Sequence, residues 1–591
     1  MFARVTTVQQ GSHRYQYLQI LESYHDDGHC RHRLVANLGR VDLLGDKLDR
    51  LVESLGKYCQ NQPILPEDLR CQSALTWGPV LLSRSLWDQM HLDEAIDPSG
   101  RSGRKHVAVS AAAFVLVAHR LCEPGSEHGL ARWLEHTFVC DREGRRWEPD
   151  WLAAKEITKQ QRVKVHHRQL ALWYRTLDAL FAAQDKIEQH LYHRVRDLFH
   201  VKVDMVCYDL TSTYFCRKSP KGVLRRHGIG KDGKPRQVQV LIGVVMANGF
   251  PIAHHVFAGN ASEKKTLPEV LEDLQSRFEI GHVMVVSDRG LVSPENLAFL
   301  SGHGFCYLLG IAGRRCKESA AVLEALSEDR WEQVDPSNRV QEIRLPGVSH
   351  RYFVIDSVER KAYEEAMRLR DMGRAQEELE AVSKAVQEGR LKDSVKIGAR
   401  AARALGRHHG HRYYSWESAG PGQFRYFEDP VKLAAETRRE GKYLLKTDRA
   451  TITAAEALDC YKQLNTVEQG FRDLKDVLEM RPIYHHKDDR VQAHIFVASL
   501  ALFLKQVLAH QLSQSLPDLS VNEAFAAMRS VGLSELRVDG QALRLVSGGS
   551  RDARRVMTAL GITRIDPPKA SLPSQGQEVK KDGKEVGYSP K

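Results

Sequence analysis

The sequence lacks an apolar run long enough to span a lipid bilayer. Its longest such run extends from Ile495 to Leu504, between His494 and Lys505, whereas a membrane-spanning helix needs about 20 apolar residues. The N-terminus also lacks the cationic start and the apolar segment of a signal peptide. Together with a mean hydropathy of −0.42, these absences predict a soluble globular protein without a membrane partner.

The sequence also lacks closely spaced cysteines. Its ten cysteines are scattered and form no C-x-x-C motif. Zinc ribbons and disulfide-bonded secreted domains depend on close cysteine spacing. The scatter therefore argues against both classes and predicts a reducing, cytoplasmic environment.

Acidic residues are in the minority. The 591 residues include 86 Lys and Arg against 75 Asp and Glu, which gives a net charge of +11. An excess of positive charge favours a polyanionic partner, with nucleic acid as the first choice, if the charge is concentrated in one part of the chain. A chain of this length also predicts roughly three or four domains.

Part of the positive charge lies in one short stretch. Arg217 to Arg236 holds eight Lys or Arg residues, Lys231 among them, against the single acid Asp232. Its glycines predict a mobile loop, and we expect Lys231 and Arg236 to contact DNA phosphates.

A second basic stretch, 396–427, is also rich in aromatic residues. It combines six Lys or Arg residues with six aromatic residues and one acid. A DNA contact that distorts the strand needs both kinds, because bases stack on rings and phosphates pair with Arg. Arg412 and Trp416 are the candidates that we select for such a contact. The alternative is that the aromatic residues simply pack a small β core.

Composition and periodicity divide the chain into segments. These are a β unit at 1–60 with a possible DNA contact, a helical region at 61–200 that is predicted to bind DNA ends, an α/β core formed by 201–310 and 451–545, an insertion at 311–450 and a disordered tail at 566–591. The insertion is too long to be a loop, and its short strand patterns predict a mainly β domain.

Two aspartates follow apolar strands of the α/β core. Asp209 ends the run that begins at Val203, and Asp288 ends the run that begins at His282. Between them, the patterns predict a hairpin of two strands and then a helix; another helix and a strand follow Asp288. Functional groups gather at strand ends in open α/β sheets, so we expect the two carboxylates to lie close together.

The stretch from Tyr461 to Leu478 predicts one amphipathic helix. Thr453 and Glu456 have the capping-box spacing that opens such a helix. Glu468 falls on its apolar stripe, where burying an isolated carboxylate would cost several kcal/mol. Such a residue needs a partner or a metal. By itself, the pattern fits a solvated surface Glu better.

Taken together, Asp209, Asp288 and Glu468 predict a metal site. Mg²⁺ and Mn²⁺ prefer oxygen ligands, and two such ions can activate the attacking oxygen and stabilise the leaving oxygen of a phosphodiester. A lone Asp at a strand end is more often a turn or cap residue. The order of the three acids, with a basic loop and an insertion between them, favours the metal site.

Four segments resemble bacterial insertion-sequence transposases of the DDE type. The closest resemblance is to the IS-four-like group, whose hallmark is a helix that carries Tyr, Arg, Glu and Lys. The segments are Tyr208 to Phe215, Gly259 to Glu263, Val285 to Gly290 and Tyr461 to Lys475. The resemblance covers about 200–510. It implies an α/β fold with a ribonuclease-H-like catalytic core, which the insertion interrupts and which the β unit and helical region precede.

The resemblance also assigns roles to single residues. It implies that Asp209, Asp288 and Glu468 are the catalytic triad and hold two Mg²⁺ or Mn²⁺ ions. The signature Tyr and Lys match Tyr461 and Lys475, which would contact phosphates of the transposon end.

The signature Arg has no counterpart at the expected position. That position holds Leu464, and Arg472, one turn beyond Glu468, is a candidate to make the contact instead.

The implied activity is cut-and-paste transposition. A homodimer on paired DNA ends would hydrolyse the ends of the element, and the freed 3′-hydroxyl would attack target DNA. We expect the protein in the bacterial cytoplasm, associated with the nucleoid. In this group the second strand is often cut through a DNA hairpin, for which Trp416 or Tyr414 could stack on a flipped base.

Three other functions compete with this interpretation. A haloacid-dehalogenase-type phosphatase would need an Asp two residues after Asp209, where this chain has Thr211. A ribonuclease-H-like nuclease or resolvase would cut without joining DNA. A catalytically inactive DNA-binding descendant would not need all three acids.

Overall fold

A computed structural model of the chain describes residues 1–45, 47–56, 58, 70–97, 108–148, 159–216, 219–228, 237–311, 316–538 and 541–568. These residues belong to two compact units. The first comprises Met1–Ala74 and Ser534–Leu545, and the second comprises Leu75–Leu533 and Val546–Lys591. The predicted disordered tail lies outside the described residues from 569 onward.

The first unit begins with an antiparallel sheet. Its strands are β1 (Phe2–Gln10), β2 (His13–Asp26) and β3 (His29–Arg40), paired in that order. Asp27 and Gly28 both have positive φ, as a tight hairpin with right-handed strand twist requires. The helices α1 (Val41–Leu44) and α2 (Lys47–Gly56) and the strand β4 (Arg70–Thr76) follow.

The second unit begins with helices. They are α3 (Gly78–Gln89), α4 (Leu92–Ile96), α5 (Val109–Cys122), α6 (Leu130–His136) and α7 (Lys159–Phe199). Their large apolar side chains, such as Trp87 and Phe114, share one hydrophobic core with strands and helices from beyond residue 200. The core therefore continues across the sequence boundary that we predicted near residue 200.

The central sheet starts with the predicted order of elements. The observed elements are β5 (Met205–Tyr214), β6 (Arg226–His227), β7 (Val238–Ala247), β8 (Phe250–Ala258), α8 (Glu263–Phe278), β9 (Met284–Ser287), α9 (Pro294–Gly302) and β10 (Cys306–Gly310). Of these, only the two-residue β6 was not predicted, because it falls in the segment predicted to be a mobile loop. The β7–β8 hairpin turns at Asn248 and Gly249, which both have positive φ, so the predicted Ala-Asn-Gly turn is confirmed.

The segment predicted as an insertion contributes strands to the same sheet. It contains α10 (Lys317–Glu324), β11 (Glu332–Asp335), β12 (Asn338–Ile343), β13 (Arg351–Ser357), α11 (Val358–Gln387), α12 (Ser394–Arg407), β14 (Tyr414–Glu417), β15 (Arg425–Glu428), α13 (Pro430–Arg439) and β16 (Lys442–Thr447). The sheet order is β11-β12-β13-β16-β10-β9-β5-β7-β6, with β8 also paired to β7.

The prediction of a mainly β insertion at 311–450 is wrong. The strand patterns there are real, but β13 and β10 both pair with β16, so these strands extend the central sheet. The residues between β13 and β16 are mostly helical, with α11 alone spanning 30 residues. Local patterns do not reveal this arrangement, because the pairing of distant strands is set by tertiary contacts.

The chain then returns to helices. They are α14 (Ala454–Lys462), α15 (Leu464–Arg472), a π-helical turn at Asp473–Val477, α16 (Asp488–Ser515) and α17 (Val521–Met528). The strands β17 (Gly532–Val538) and β18 (Gln541–Val546) form a three-stranded sheet with β4, and α18 (Arg551–Ala559) follows.

Helix α16 is the central helix of the second unit. It is long and apolar enough to cross a membrane, but 83% of its apolar window is buried inside the protein. It packs against α3, α5 and α7 on the helical side and against β8 of the sheet. These contacts are those of a core helix.

Candidate active site

Asp209 and Asp288 project from neighbouring strands of the central sheet. β5 and β9 are parallel, with Cys207 opposite Val286, so the two aspartates each lie two residues beyond a paired position. Asp288 follows the end of β9, as predicted. Asp209, however, lies within β5, because this strand continues to pair with β7 as far as Tyr214. The prediction that Asp209 ends its strand is therefore wrong.

The backbone orients both carboxylates. An oxygen of Asp209 accepts a hydrogen bond from the N–H of Leu210 at 2.7 Å. An oxygen of Asp288 accepts one from the N–H of Arg289 at 2.6 Å, where Asp288 caps the 3₁₀ turn Arg289–Leu291. These contacts orient the Asp209 carboxylate within β5 and the Asp288 carboxylate just beyond the end of β9.

The segment that carries Glu468 is not one continuous helix. The predicted Thr453–Glu456 capping box is present and opens α14, but the chain breaks at Gln463 and continues as α15 and then as the π-helical turn. Since α15 packs against β5, Glu468 reaches the side of the sheet that carries Asp209.

Glu468 itself is exposed, as the interpretation of a solvated Glu predicted, although its neighbours on the apolar stripe are buried. Val467 and Phe471 of α15 are buried, whereas the Glu468 side chain is 59% exposed and lies 3.9 Å from Arg472. A charge pair as open as this one contributes little to stability. The carboxylate avoids the burial cost because it faces a cleft instead of the core.

Tyr461 lies close to Asp288. A Cβ atom at Gly310 would lie 2.8 Å from the Tyr461 hydroxyl and 3.5 Å from an Asp288 oxygen, so only glycine leaves room for both. The Tyr461 ring stacks on Tyr443 at a centroid distance of 5.8 Å. Burial, and then the charge of Asp288, raise the pKa of Tyr461, so its hydroxyl keeps its proton and can donate a hydrogen bond.

One cleft of about 770 Å³ joins these residues. The central sheet and the Glu468 segment form one wall, and the helical insert between β13 and β16 forms the other. The residues on the first wall include Asp209, Asp288, Arg289, Tyr461, Leu464, Asn465 and Glu468. The residues on the second wall include Arg360, Arg368, Arg412, Glu436, Arg439 and Glu440. Within a single chain, the insert therefore reaches the predicted catalytic residues.

The arginines of the insert differ in how they are paired. Arg368 contacts Glu440 at 2.6 Å, and Arg439 contacts Glu436 at 2.9 Å. In contrast, the buried Nε atom of Arg412 has no hydrogen-bond partner among the described residues. Arg412 also lines the cleft, although this Nε atom itself is buried.

The other predicted DNA contacts lie elsewhere. Arg472 and Lys475 belong to the Glu468 segment but do not line the cleft. Lys231 and Arg236 lie outside the described residues. Leu464, at the signature Arg position, is 7% exposed and packs in the hydrophobic core.

The two aromatic candidates belong to a small core of the insert. Tyr414 is 3% exposed, and its hydroxyl donates to the Met372 carbonyl at 3.4 Å. Trp416 is half-buried against Phe424 and Gly398. The alternative, that these aromatic residues pack a core, describes their observed surroundings, and neither of them lines the cleft.

A second group of ionisable residues lies in the helical part of the same unit. Glu127, His485 and His494 are buried, and their ligand atoms lie within 4.8 Å of one another, close enough to hold a metal ion. Asp209, Asp288 and Glu468 do not meet this spacing. We did not predict this group from the sequence. The adjacent His485 and His486 are the only local signal, because Glu127 is far away in the chain.

Sequence reasoning also missed Arg289, Gly310 and Tyr443 as residues at the site. Arg289 directly follows Asp288, which is a local signal that could have identified it. Gly310 and Tyr443 are brought to Tyr461 by the pairing of β10 with β16, and no local pattern indicates that pairing.

Comparison with known proteins agrees with this geometry. A family model described as "Transposase DDE domain" matches residues 204–504, a range that contains Asp209, Asp288 and Glu468. A second model, described as "IS1634 family transposase, N-terminal domain", matches residues 2–68. No curated protein matches the chain.

One of the solved structures that match is a cryo-EM structure of a piggyBac transposase synaptic complex with hairpin DNA. It is 10% identical, covers 76% of this chain and 79% of that chain, and has a TM-score of 0.35, which is too low to support any conclusion. The DDE model, by contrast, spans just over half of the sequence and contains Asp209, Asp288 and Glu468, which line the cleft. The chain therefore belongs to the DDE transposases.

Proposed function

We propose that this DNA transposase cleaves the ends of an insertion sequence and joins the 3′-hydroxyl ends to target DNA. The observation that carries the proposal is that Asp209, Asp288 and Glu468 line one cleft, although Glu468 is about 180 residues from Asp288 in the sequence. We also infer that the sheet is ribonuclease-H-like and that the protein belongs to the IS-four-like group.

We propose that the three carboxylates hold divalent metal, as a DDE domain implies. They fit this role because they offer hard oxygen ligands, which Mg²⁺ and Mn²⁺ prefer, and because Asp288 and Glu468 are exposed. They do not form a group whose oxygens all lie within 4.8 Å of one another, and we propose that they share two ions. When bound, such ions activate the attacking oxygen and stabilise the leaving oxygen of a phosphodiester.

The remaining cleft residues would bind and orient DNA. Tyr461 would donate its hydroxyl hydrogen to a phosphate oxygen beside Asp288. Arg412 would pair with a phosphate from the opposite wall, because its positively charged side chain lines the cleft there. These two contacts would hold the scissile strand across the carboxylates, which is the positioning that phosphoryl transfer requires.

Further DNA contacts would extend outward from the cleft. Arg472 and Lys475 would bind phosphates of the transposon end, Lys231 and Arg236 would add positive charge from the basic loop, and Trp416 would stack on a displaced base. We expect the transposase to act as a homodimer on paired ends, in the bacterial cytoplasm with the nucleoid.

A strand-transfer assay tests this function. The full-length protein is incubated with Mn²⁺, a supercoiled plasmid that carries the element's two ends, and a separate target plasmid. We expect cleavage at the ends and products joined to the target. Cleavage without joining would show a nuclease or resolvase, and binding without cleavage would show an inactive DNA-binding descendant.

A further inference from the structure

The segment that carries Glu468 ends in three backbone carbonyls that are held by two other helices. Arg120 of α5 donates from Nη1 to the carbonyl oxygen of Leu478 at 3.2 Å and to that of Glu479 at 2.9 Å. His494 of α16 donates from Nε2 to the carbonyl oxygen of Met480 at 3.1 Å. These three consecutive carbonyls follow the π-helical turn directly.

Glu127 completes this arrangement, and we name Arg120, Glu127 and His494 the carbonyl clamp. Each of the three is at most 8% exposed. Arg120 Nη2 lies 3.3 Å from His494 Nδ1 and 3.8 Å from a Glu127 oxygen. Nε2 of His494 donates to Met480, while its Nδ1 lies 3.2 Å from a Glu127 oxygen as well as 3.3 Å from Arg120 Nη2.

The charges within the clamp balance one another. Burial, and then the charge of Arg120, lower the pKa of His494, so the imidazole is neutral at neutral pH. Burial raises the pKa of Glu127, but the neighbouring side chains, first among them His485 at 3.4 Å, hold the pKa well below its usual value. The clamp therefore contains one cation, Arg120, and one anion, Glu127.

This balance argues against a metal ion at Glu127, His485 and His494, although their spacing suits one. A divalent ion there would lie beside the Arg120 guanidinium, which is already 3.3 Å from the His494 nitrogen. Two like charges at such a distance in a buried site repel strongly. Arg120 cannot move away without giving up both of its carbonyl acceptors.

The clamp also acts at a strained point of the backbone. Glu479 has a φ of 44°, a left-handed conformation that strains a non-glycine residue. Its carbonyl is one of the two that Arg120 holds. At the start of the same turn, Lys505 of α16 contacts Asp473 at 3.0 Å, so α16 restrains the turn at both ends.

We propose that Arg120, Glu127 and His494 are positioning residues for the transposition reaction. They hold the C-terminal end of the Glu468 segment and thereby fix the Glu468 carboxylate over the cleft. A guanidinium at this end also complements the helix dipole. The inference rests on the proposed catalytic role of Glu468. The position of the Glu468 carboxylate matters for catalysis because displacing a catalytic group by about 1 Å can lower the rate by about 100-fold.

The test compares Arg120→Gln with Arg490→Gln in the full-length transposase. Arg490 also links α16 to the helical region, through Asp178 at 2.8 Å, but it does not contact the three carbonyls. For Arg120→Gln we expect single-turnover cleavage to fall about 10- to 100-fold, while the Kd for end DNA stays within about twofold, as expected for a residue remote from DNA. We expect Arg490→Gln to cleave at the wild-type rate.

Two further measurements separate positioning from general stability. A misplaced Glu468 should raise the Mn²⁺ concentration at half-maximal cleavage by about 10-fold, as does loss of groups that orient metal ligands. Arg120→Lys, which keeps a cationic donor for the carbonyls, should restore part of the rate. If Arg120→Gln does not fold, Glu127→Gln replaces it, since that change keeps the side-chain size.

Three outcomes would overturn the inference. One is a lower Tm with an unchanged cleavage rate per folded molecule. Another is an unchanged Mn²⁺ requirement in a variant that cleaves slowly. The third is one equivalent of a transition metal in the purified protein that is lost in Glu127→Gln and His494→Gln. If Asp209→Asn still cleaved DNA, the proposed function would fail instead, so the two failures are distinguishable.

Discussion

The cleft and the carbonyl clamp both gather ionisable side chains, but they differ in exposure and in charge balance. In the cleft, the Glu468 side chain is 59% exposed, and the three acids do not form a group whose oxygens all lie within 4.8 Å of one another. In the clamp, Glu127 is 8% exposed. One of its carboxylate oxygens lies within 4.8 Å of a ring nitrogen of His494 and of one of His485, which is next to the clamp.

The comparison shows that close spacing alone does not define a metal site. The clamp has suitable spacing, but a guanidinium already balances its carboxylate. The carboxylates of the cleft lie farther apart, but solvent reaches them and their oxygens are hard ligands. An ion could draw the Glu468 carboxylate inward, because its contact with Arg472 is weak. Accessibility and charge balance therefore favour the cleft as the proposed metal site.

The largest expected effect comes from neutralising one acid of the cleft. Asp209→Asn, Asp288→Asn or Glu468→Gln should lower the cleavage rate by about 10³-fold or more, because each removes a metal ligand worth several kcal/mol in the transition state. End binding, measured by gel shift, should be retained. Asp459→Asn, which alters an exposed acid on α14, should cleave normally. Wild-type cleavage by a triad variant would exclude that residue as a ligand.

A smaller effect is expected at the opposite wall of the cleft. Arg412→Gln should weaken end binding by about 10-fold and reduce the slope of log affinity against log salt by about one, as loss of one phosphate contact does. The matched control is Arg407→Gln, which alters an Arg of the insert that pairs with Glu378. An unchanged salt slope for Arg412→Gln would show that Arg412 does not contact a phosphate.

A buried histidine of α5 should make the unfolding free energy depend on pH, without a matching effect on the cleavage reaction. Burial, and then the charge of Arg120, lower the pKa of His119 from 6.5 to about 3. The unfolded chain therefore binds a proton below pH 6.5 that the folded chain does not bind, so stability falls with pH from there down to about 3.

This linkage can be measured by urea unfolding. Between about pH 7.5 and 5.5, wild type should lose about 1.4 kcal/mol more of its unfolding free energy than His119→Gln does. His303→Gln, which alters an exposed histidine, should retain the wild-type pH dependence. Equal losses in wild type and His119→Gln would show that His119 is not kept neutral by burial.

The smallest effect is expected at the capping box that precedes Tyr461. Thr453→Ala removes the hydroxyl that accepts from the Glu456 N–H, which should cost about 1 kcal/mol of unfolding free energy. The cleavage rate should not change, because α14 is also held by its packing in the core. Ser520→Ala, which removes the same type of cap from α17, should cost a similar amount. A loss of activity beyond the loss of stability would show that the cap also positions Tyr461.

Local patterns predicted much of the fold. The order of elements from β5 to β10, the Ala-Asn-Gly turn and the Thr453 capping box depend on residues that are close together in the sequence, and all three are confirmed. The strand-end position of Asp209 and the mainly β insertion were predicted wrongly, because both depend on which distant segments pair and pack. The roles of the three acids stay predictions that the cleft geometry supports.

The sequence by itself determined which acids this chain has and where its helices and strands begin, because caps, turns and periodicity are local. Only the tertiary structure decided which of these groups meet. It placed Asp209, Asp288 and Glu468 around one cleft, closed that cleft with a helical insert of the same chain, and brought Arg120 to the carbonyls beyond Glu468. The physical reason is that each of these contacts joins residues far apart in sequence, and their distances are set by the shared core and not by the neighbours of any one residue.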